Sequence, residues 1–147
     1  GRQLHLFDAN NRDLGFLLEA DIFATGFKTL HTGAGLILRF DEVFTGGTWQ
    51  ARLAGITSSI YYLQQNCQGQ GYNGNPGGVN AMIWVPNINR FFQYTPENPR
   101  TGLQPLSELD NTGCRNTLPG VGLLYRVQEI SLPFTLPLAW PLSIKVK

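Results

Sequence analysis

The chain has 147 residues, a formal net charge of +1 and only 14% charged residues, against about 25% in ordinary soluble domains. At 42% hydrophobic it can bury a core as one domain, so neither disorder nor a disulfide-dependent miniature fold is indicated. With no basic run there is no electrostatic footprint for nucleic acid, and no apolar stretch reaches the roughly 18 residues of a membrane helix. Gly1-Arg2 reads as the start of a piece cut from a longer, exported chain.

The 17 glycines and 9 prolines interrupt every helix-friendly run, and the apolar segments are short and often alternate. Gln3 to Phe7 predicts a first strand. The Asn- and Asp-rich turn Asp8 to Asp13 then leads into Leu14 to Glu19, which makes a hairpin. A variable segment from Ala20 to His31 precedes a strand over Gly35 to Phe40. Gly46-Gly47 turns the chain into Thr48 to Leu53, where Trp49, Ala51 and Leu53 alternate with polar residues and mark the buried face of a half-wet strand.

Ser59 to Leu63 predicts a strand, Asn66 to Gly78 a long loop, and Val79 to Val85 and Arg90 to Tyr94 two strands joined at Pro86 to Asn89. Thr95 to Gly120 reads as mostly turn, and Leu123 to Ile130 as a strand. Proline recurs at every fourth residue at positions 133, 137 and 141, which excludes a central strand over Leu132 to Leu142. That segment is expected to run extended with its apolar side chains pressed either onto its own domain or onto a neighbouring subunit. Ser143 to Val146 then rejoins a sheet. The sum is a single all-β domain over residues 1–147, an antiparallel β-sandwich or open barrel of about ten short strands.

Cys67 and Cys114 are the two cysteines, each in a polar, turn-rich context beside glycine. The expectation is a Cys67–Cys114 disulfide, with two free buried thiols, or a reactive or metal-binding role, as the alternatives. The disulfide would contribute about 4 kcal/mol by restricting the unfolded chain. A zinc site needs about four ligands, and two cysteines with His5 and His31 include no close-spaced pair, so no metal or cofactor is expected.

Asp8-x-Asn10-x-x-Asp13 has the wrong spacing for a calcium loop and is read as a hairpin turn. No Gly-x-Ser-x-Gly elbow or His-Glu-x-x-His pair frames a catalytic His5 or His31, and Glu97, Glu108 and Asp110 form only a loose acidic cluster. No catalytic residues are assigned.

Binding chemistry is better supplied. Sugars present apolar C–H faces and hydroxyls, which suit aromatic rings beside amides that donate and accept at once. The candidate ligand contacts are Tyr72, Asn73 and Asn75, then Trp84, Asn87 and Asn89.

The run Leu6-Phe7-Asp8-Ala9-Asn10-Asn11-Arg12-Asp13-Leu14-Gly15, followed by Ile60-Tyr61-Tyr62 and Asn66-Cys67-Gln68-Gly69-Gln70-Gly71-Tyr72, resembles a group of bacterial β-domains. In these a hairpin precedes an aromatic strand that ends in a cysteine–x–glycine–x–x–aromatic turn. Asn11 stands where that pattern has a turn glycine. The resemblance implies the C-terminal head of an exported fibre-like or collagen-like surface protein, akin to a phage tail-fibre tip. It defines no functional residues.

The expectation is therefore a non-enzymatic, extracellular adhesin or fibre tip that recognises a cell-surface glycan. It would assemble as a homotrimer through Phe134 and Trp140, with no nucleic-acid partner and no membrane insertion. The alternatives are a trimerisation and capping domain without a ligand of its own, and a small secreted glycan hydrolase.

Overall fold

The computed structural model describes residues 2–21, 26–78, 81–116 and 122–147. Residues 79 and 80 of the expected strand, the centre of the variable segment and the last residues of the turn-rich stretch fall outside these. The described residues are all-β, with fourteen strands in two sheets and one short 3-10 turn, against the ten strands expected. In chain order the strands are β1 (Leu4–Phe7), β2 (Asp13–Asp21), β3 (Gly26–His31), β4 (Leu36–Thr45), β5 (Thr48–Leu53), β6 (Ile56–Thr57) and β7 (Ile60–Tyr62). There follow β8 (Gly71–Asn73), β9 (Met82–Val85), β10 (Arg90–Tyr94), β11 (Ser107–Asp110), β12 (Gly113–Arg115), β13 (Tyr125–Ile130) and β14 (Ser143–Val146). They gather into two compact units, Gly1–Ala54 with Leu132–Lys147, and Gly55–Ser131.

The first unit is a six-stranded antiparallel sheet in the order β14-β1-β2-β3-β4-β5. Its first hairpin turns because the Asp8 carboxylate accepts the backbone N–H groups of Asn10 and Arg12, at 3.1 and 3.0 Å. Asn11 takes the left-handed conformation, φ 62°, that a glycine would otherwise supply. Leu6, Leu14, Leu38, Phe40 and Leu53 are buried, and the buried Thr29 hydroxyl donates to the Leu14 carbonyl at 2.8 Å. Gly15 has φ 119°, and a Cβ there would lie 2.9 Å from the Leu30 carbonyl oxygen, so only glycine fits.

The proline-spaced segment runs irregularly against this unit. Arg12 fastens it by donating to the Thr135 carbonyl at 2.5 Å and the Pro137 carbonyl at 2.7 Å. Ala139 donates its N–H to Asp8 at 3.0 Å and accepts from the Ala9 N–H at 2.9 Å. Leu138 and Leu142 are buried, and the Phe134 ring lies 5.8 Å from that of Phe40. Within the chain, the segment packs on the first unit through these contacts.

The second unit is an eight-stranded sheet in the order β12-β11-β7-β8-β13-β10-β9-β6, antiparallel except for the parallel pair β6–β9. Ile60, Tyr62, Ile83, Val85, Phe92, Tyr94, Leu109 and Val127 form its core. Cys67 and Cys114 are bonded, so the 3-10 turn at Gln65–Cys67 is tied to β12.

Two loop expectations are corrected. The stretch 66–78 contains β8, and 95–120 contains the β11–β12 hairpin. Both escape periodicity because their strands have only three or four residues, and neighbours outside each stretch complete the pairing: β8 lies between β7 and β13, and β11 pairs with β7.

Candidate functional site

The sequence candidates of the second unit separate by burial. Tyr72, expected as an open stacking face, is 4% exposed, and Asn73 is 1% exposed. Both side chains lie on the paired strand β8 instead of a loop, so neither offers a surface to a ligand. Asn73 donates to the Ser58 hydroxyl at 2.9 Å and the Ser59 carbonyl at 2.7 Å, and its side-chain oxygen accepts the Asn75 N–H at 2.8 Å. The Tyr94 hydroxyl donates to the Asn75 carbonyl at 2.6 Å and lies 3.0 Å from the Asn73 oxygen. Burial, with Tyr125 nearby, pushes the Tyr94 phenol up to about 12, so it remains a neutral donor. This network satisfies buried polar atoms and sets the local fold.

Trp84 is half-buried on β9, and its indole N–H donates to the Thr57 hydroxyl. Asn87 and Asn89 are exposed in the turn that follows, with φ 69° and 51°. Their amides are accessible, but their left-handed backbone already accounts for asparagine at both positions.

The loose acidic cluster is divided between two arginines. Glu97 pairs with Arg126 at 2.9 Å, while Arg115 lies 3.3 Å from Glu108 and 2.8 Å from Asp110. His5 lies 3.0 Å from Asp13, which also binds the Lys147 ammonium. The His31 ring is half-buried, and among the described residues its Nδ1 has no hydrogen-bond partner.

An aromatic surface in the first unit was not read from the sequence. Gly46 and Gly47 have φ 60° and 82°, the pattern of a two-residue turn that needs left-handed backbone at both positions. It sets Thr45 opposite Thr48 and therefore Phe44 opposite Trp49. Their rings meet edge to face, centroids 5.6 Å apart. Trp49 also stacks on Trp140, with centroids 6.2 Å apart and planes 12° from parallel. Buried Leu138 and Leu142 anchor the chain on either side of Trp140, and the Leu142 N–H donates to Glu42 at 3.3 Å.

Phe44, Trp49 and Trp140 are nevertheless 62%, 46% and 45% exposed. Trp49, expected on the buried face with Ala51 and Leu53, is thus corrected to a half-exposed residue at the hairpin end. The sequence signal was present in Phe44-Thr45-Gly46-Gly47-Thr48-Trp49: aromatic residues placed symmetrically about a two-glycine turn become cross-strand partners. Such rings offer electron-rich faces and a rigid apolar surface open to solvent.

No protein-family model matches the chain, and no solved structure matches it. An 83-residue stretch is 35% identical to the glucoamylase GLU1 of Saccharomycopsis fibuligera. The alignment covers 51% of this chain and 16% of that protein, so the chain corresponds to a small part of the enzyme it is similar to.

Proposed function

We propose that the chain is a non-enzymatic carbohydrate-binding β-domain, the head of an exported fibre or adhesin that meets a surface glycan through Phe44, Trp49 and Trp140. The exposed Trp49–Trp140 stack carries this reading. A pyranose presents one flat face of polarised C–H groups, which an indole face attracts and desolvates at little entropic cost. The partial similarity to a glucoamylase supports a carbohydrate ligand. A low content of charged residues and the Cys67–Cys114 bond suit an oxidising, extracellular setting. Glu97, Glu108 and Asp110 are each engaged by an arginine, and the reading assigns them no catalytic role.

A glycan array with the purified chain tests it. Binding to a defined glycan set, weakened at least about tenfold by Trp49→Ala or Trp140→Ala, is the expected result. Binding unaffected by both substitutions would remove the platform from the account.

A second reading is an oligomerising cap, favoured by strand β14. It forms one edge of its sheet; Ile144 and Val146 on it are 41% and 54% exposed, and Leu4 on the adjoining β1 is 47% exposed. Such an edge invites pairing with a second copy. A trimer mass by light scattering that reverts to monomer in Val146→Lys supports this reading, and a wild-type monomer at micromolar concentration opposes it.

A further inference from the structure

The second unit holds a groove of about 720 Å³, the size of a small-molecule site, lined by none of the residues of the aromatic platform. Its walls are polar and ordered. Arg90 grips Glu129 with two parallel bonds, Nε to Oε2 at 2.8 Å and Nη2 to Oε1 at 2.7 Å. Arg126 reaches both oxygens of Glu97 from Nη1, at 2.9 and 3.1 Å. Its Nε donates to the Gln70 side-chain oxygen at 2.7 Å. The Gln70 amide nitrogen is in turn held by the carbonyls of Gly71 at 2.9 Å and Val127 at 2.6 Å. Gln70 therefore positions Arg126. Tyr62 is buried beside this wall; burial raises its pKa, opposed by Arg90.

We propose that this groove is a second binding site, for a neutral, hydroxyl-rich ring of hexose or short oligosaccharide size. Three features select that class. Each guanidinium is matched by one carboxylate, so the lining has no net charge with which to favour an anion. Phe92 and Val127 are buried beneath the groove, so a purely apolar ligand gains little contact area. What remains accessible alternates donors with acceptors: Arg126 and Gln128 beside the carboxylates of Glu97 and Glu129. A ring hydroxyl, which both donates and accepts, can bridge an arginine and its glutamate together. The site shares its ligand class with the platform reading and none of its residues.

Amide-resolved NMR titration of the intact chain with galactose, glucose, maltose and galacturonate tests it. At millimolar concentrations at least one neutral sugar should shift the amides of Gly71, Val127 and Gln128, and Arg126→Ala should weaken that binding about tenfold. Glu97→Gln, which keeps the shape and removes the charge, should weaken it as well, and it serves if Arg126→Ala does not fold. No groove shift with any neutral sugar, galacturonate binding more tightly than galactose, or unchanged affinity in the folded variants would overturn the proposal. Shifts confined to the indoles of Trp49 and Trp140 would overturn the groove while leaving the platform standing, and groove shifts alone would do the reverse.

Discussion

Trp49 and Trp140 lie nearly parallel, 12° apart with centroids at 6.2 Å, although one belongs to β5 and the other to the proline-spaced segment near the end of the chain. Hairpin geometry delivers the first ring and the anchored segment the second. Because both remain about half exposed, the pair holds the segment only weakly. Trp140→Ala should cost no more than about 1.5 kcal/mol in chemical denaturation. It should also abolish the paired-indole signature in the circular dichroism of the wild type. An unaltered spectrum would show that the rings do not stack in solution.

Arg12 is the firmer tether. It spans the Asp8 carboxylate and the carbonyls of Thr135 and Pro137, and Asp8 is buried. Arg12→Ala leaves that charge with backbone partners alone, and a loss of about 3 kcal/mol is expected. Protease cleavage within residues 132–142 should appear with it. Wild-type resistance there would show that the tether is redundant.

Tyr72→Ala separates a structural role from a binding one. With the ring buried on β8, truncation should destabilise the fold by about 3 kcal/mol in urea titration. Glycan affinity of the molecules that remain folded should be unchanged. A fully stable variant with lost glycan binding would restore Tyr72 as a ligand contact.

The disulfide closes a sequence separation of 47 residues. Replacing both cysteines with serine should cost about 4 kcal/mol, since the unfolded chain regains the conformations that the crosslink denied it. Mass spectrometry of the oxidised wild type without reductant should find neither thiol free to alkylate. Two alkylated thiols would contradict the bond.

Acid sensitivity follows from Asp13. Burial alone would raise its carboxyl, but bonds from Lys147 and His5 and the Gly15 N–H outweigh that and bring it to about 2 from 3.8. A depressed carboxylate stabilises the fold above its unfolded pKa and loses that contribution as the pH falls through the folded one, here between about pH 4 and pH 2. Asp8, held down by Arg12 and backbone N–H groups against the opposing effect of burial, acts in the same direction. Asp13→Asn should therefore be less stable than wild type at about pH 6, with the gap closing near pH 2. A constant gap across that range would show that its charge is not involved.

The sequence by itself determined the local elements. Alternating residues, the Asp8 to Asp13 turn and the Gly46-Gly47 turn specify the β1–β2 and β4–β5 hairpins, because period and turn geometry act over neighbouring residues. Proline at every fourth position likewise kept 132–142 out of the sheets, since it lacks an N–H to donate. The pairing of Cys67 with Cys114 was legible from their matched loop contexts.

Tertiary structure alone decided the rest. A strand as short as β8 exists only because β7 and β13 complete its hydrogen bonds, and those same partners bury Tyr72 and Asn73. The aromatic platform needs a ring from each of two distant segments, and the groove needs Gln70, Arg90, Glu97, Arg126 and Glu129 brought together from separate strands and turns. Periodicity reports which side of a strand is apolar. It carries no information on which strands become neighbours, and the candidate binding surfaces depend on that adjacency.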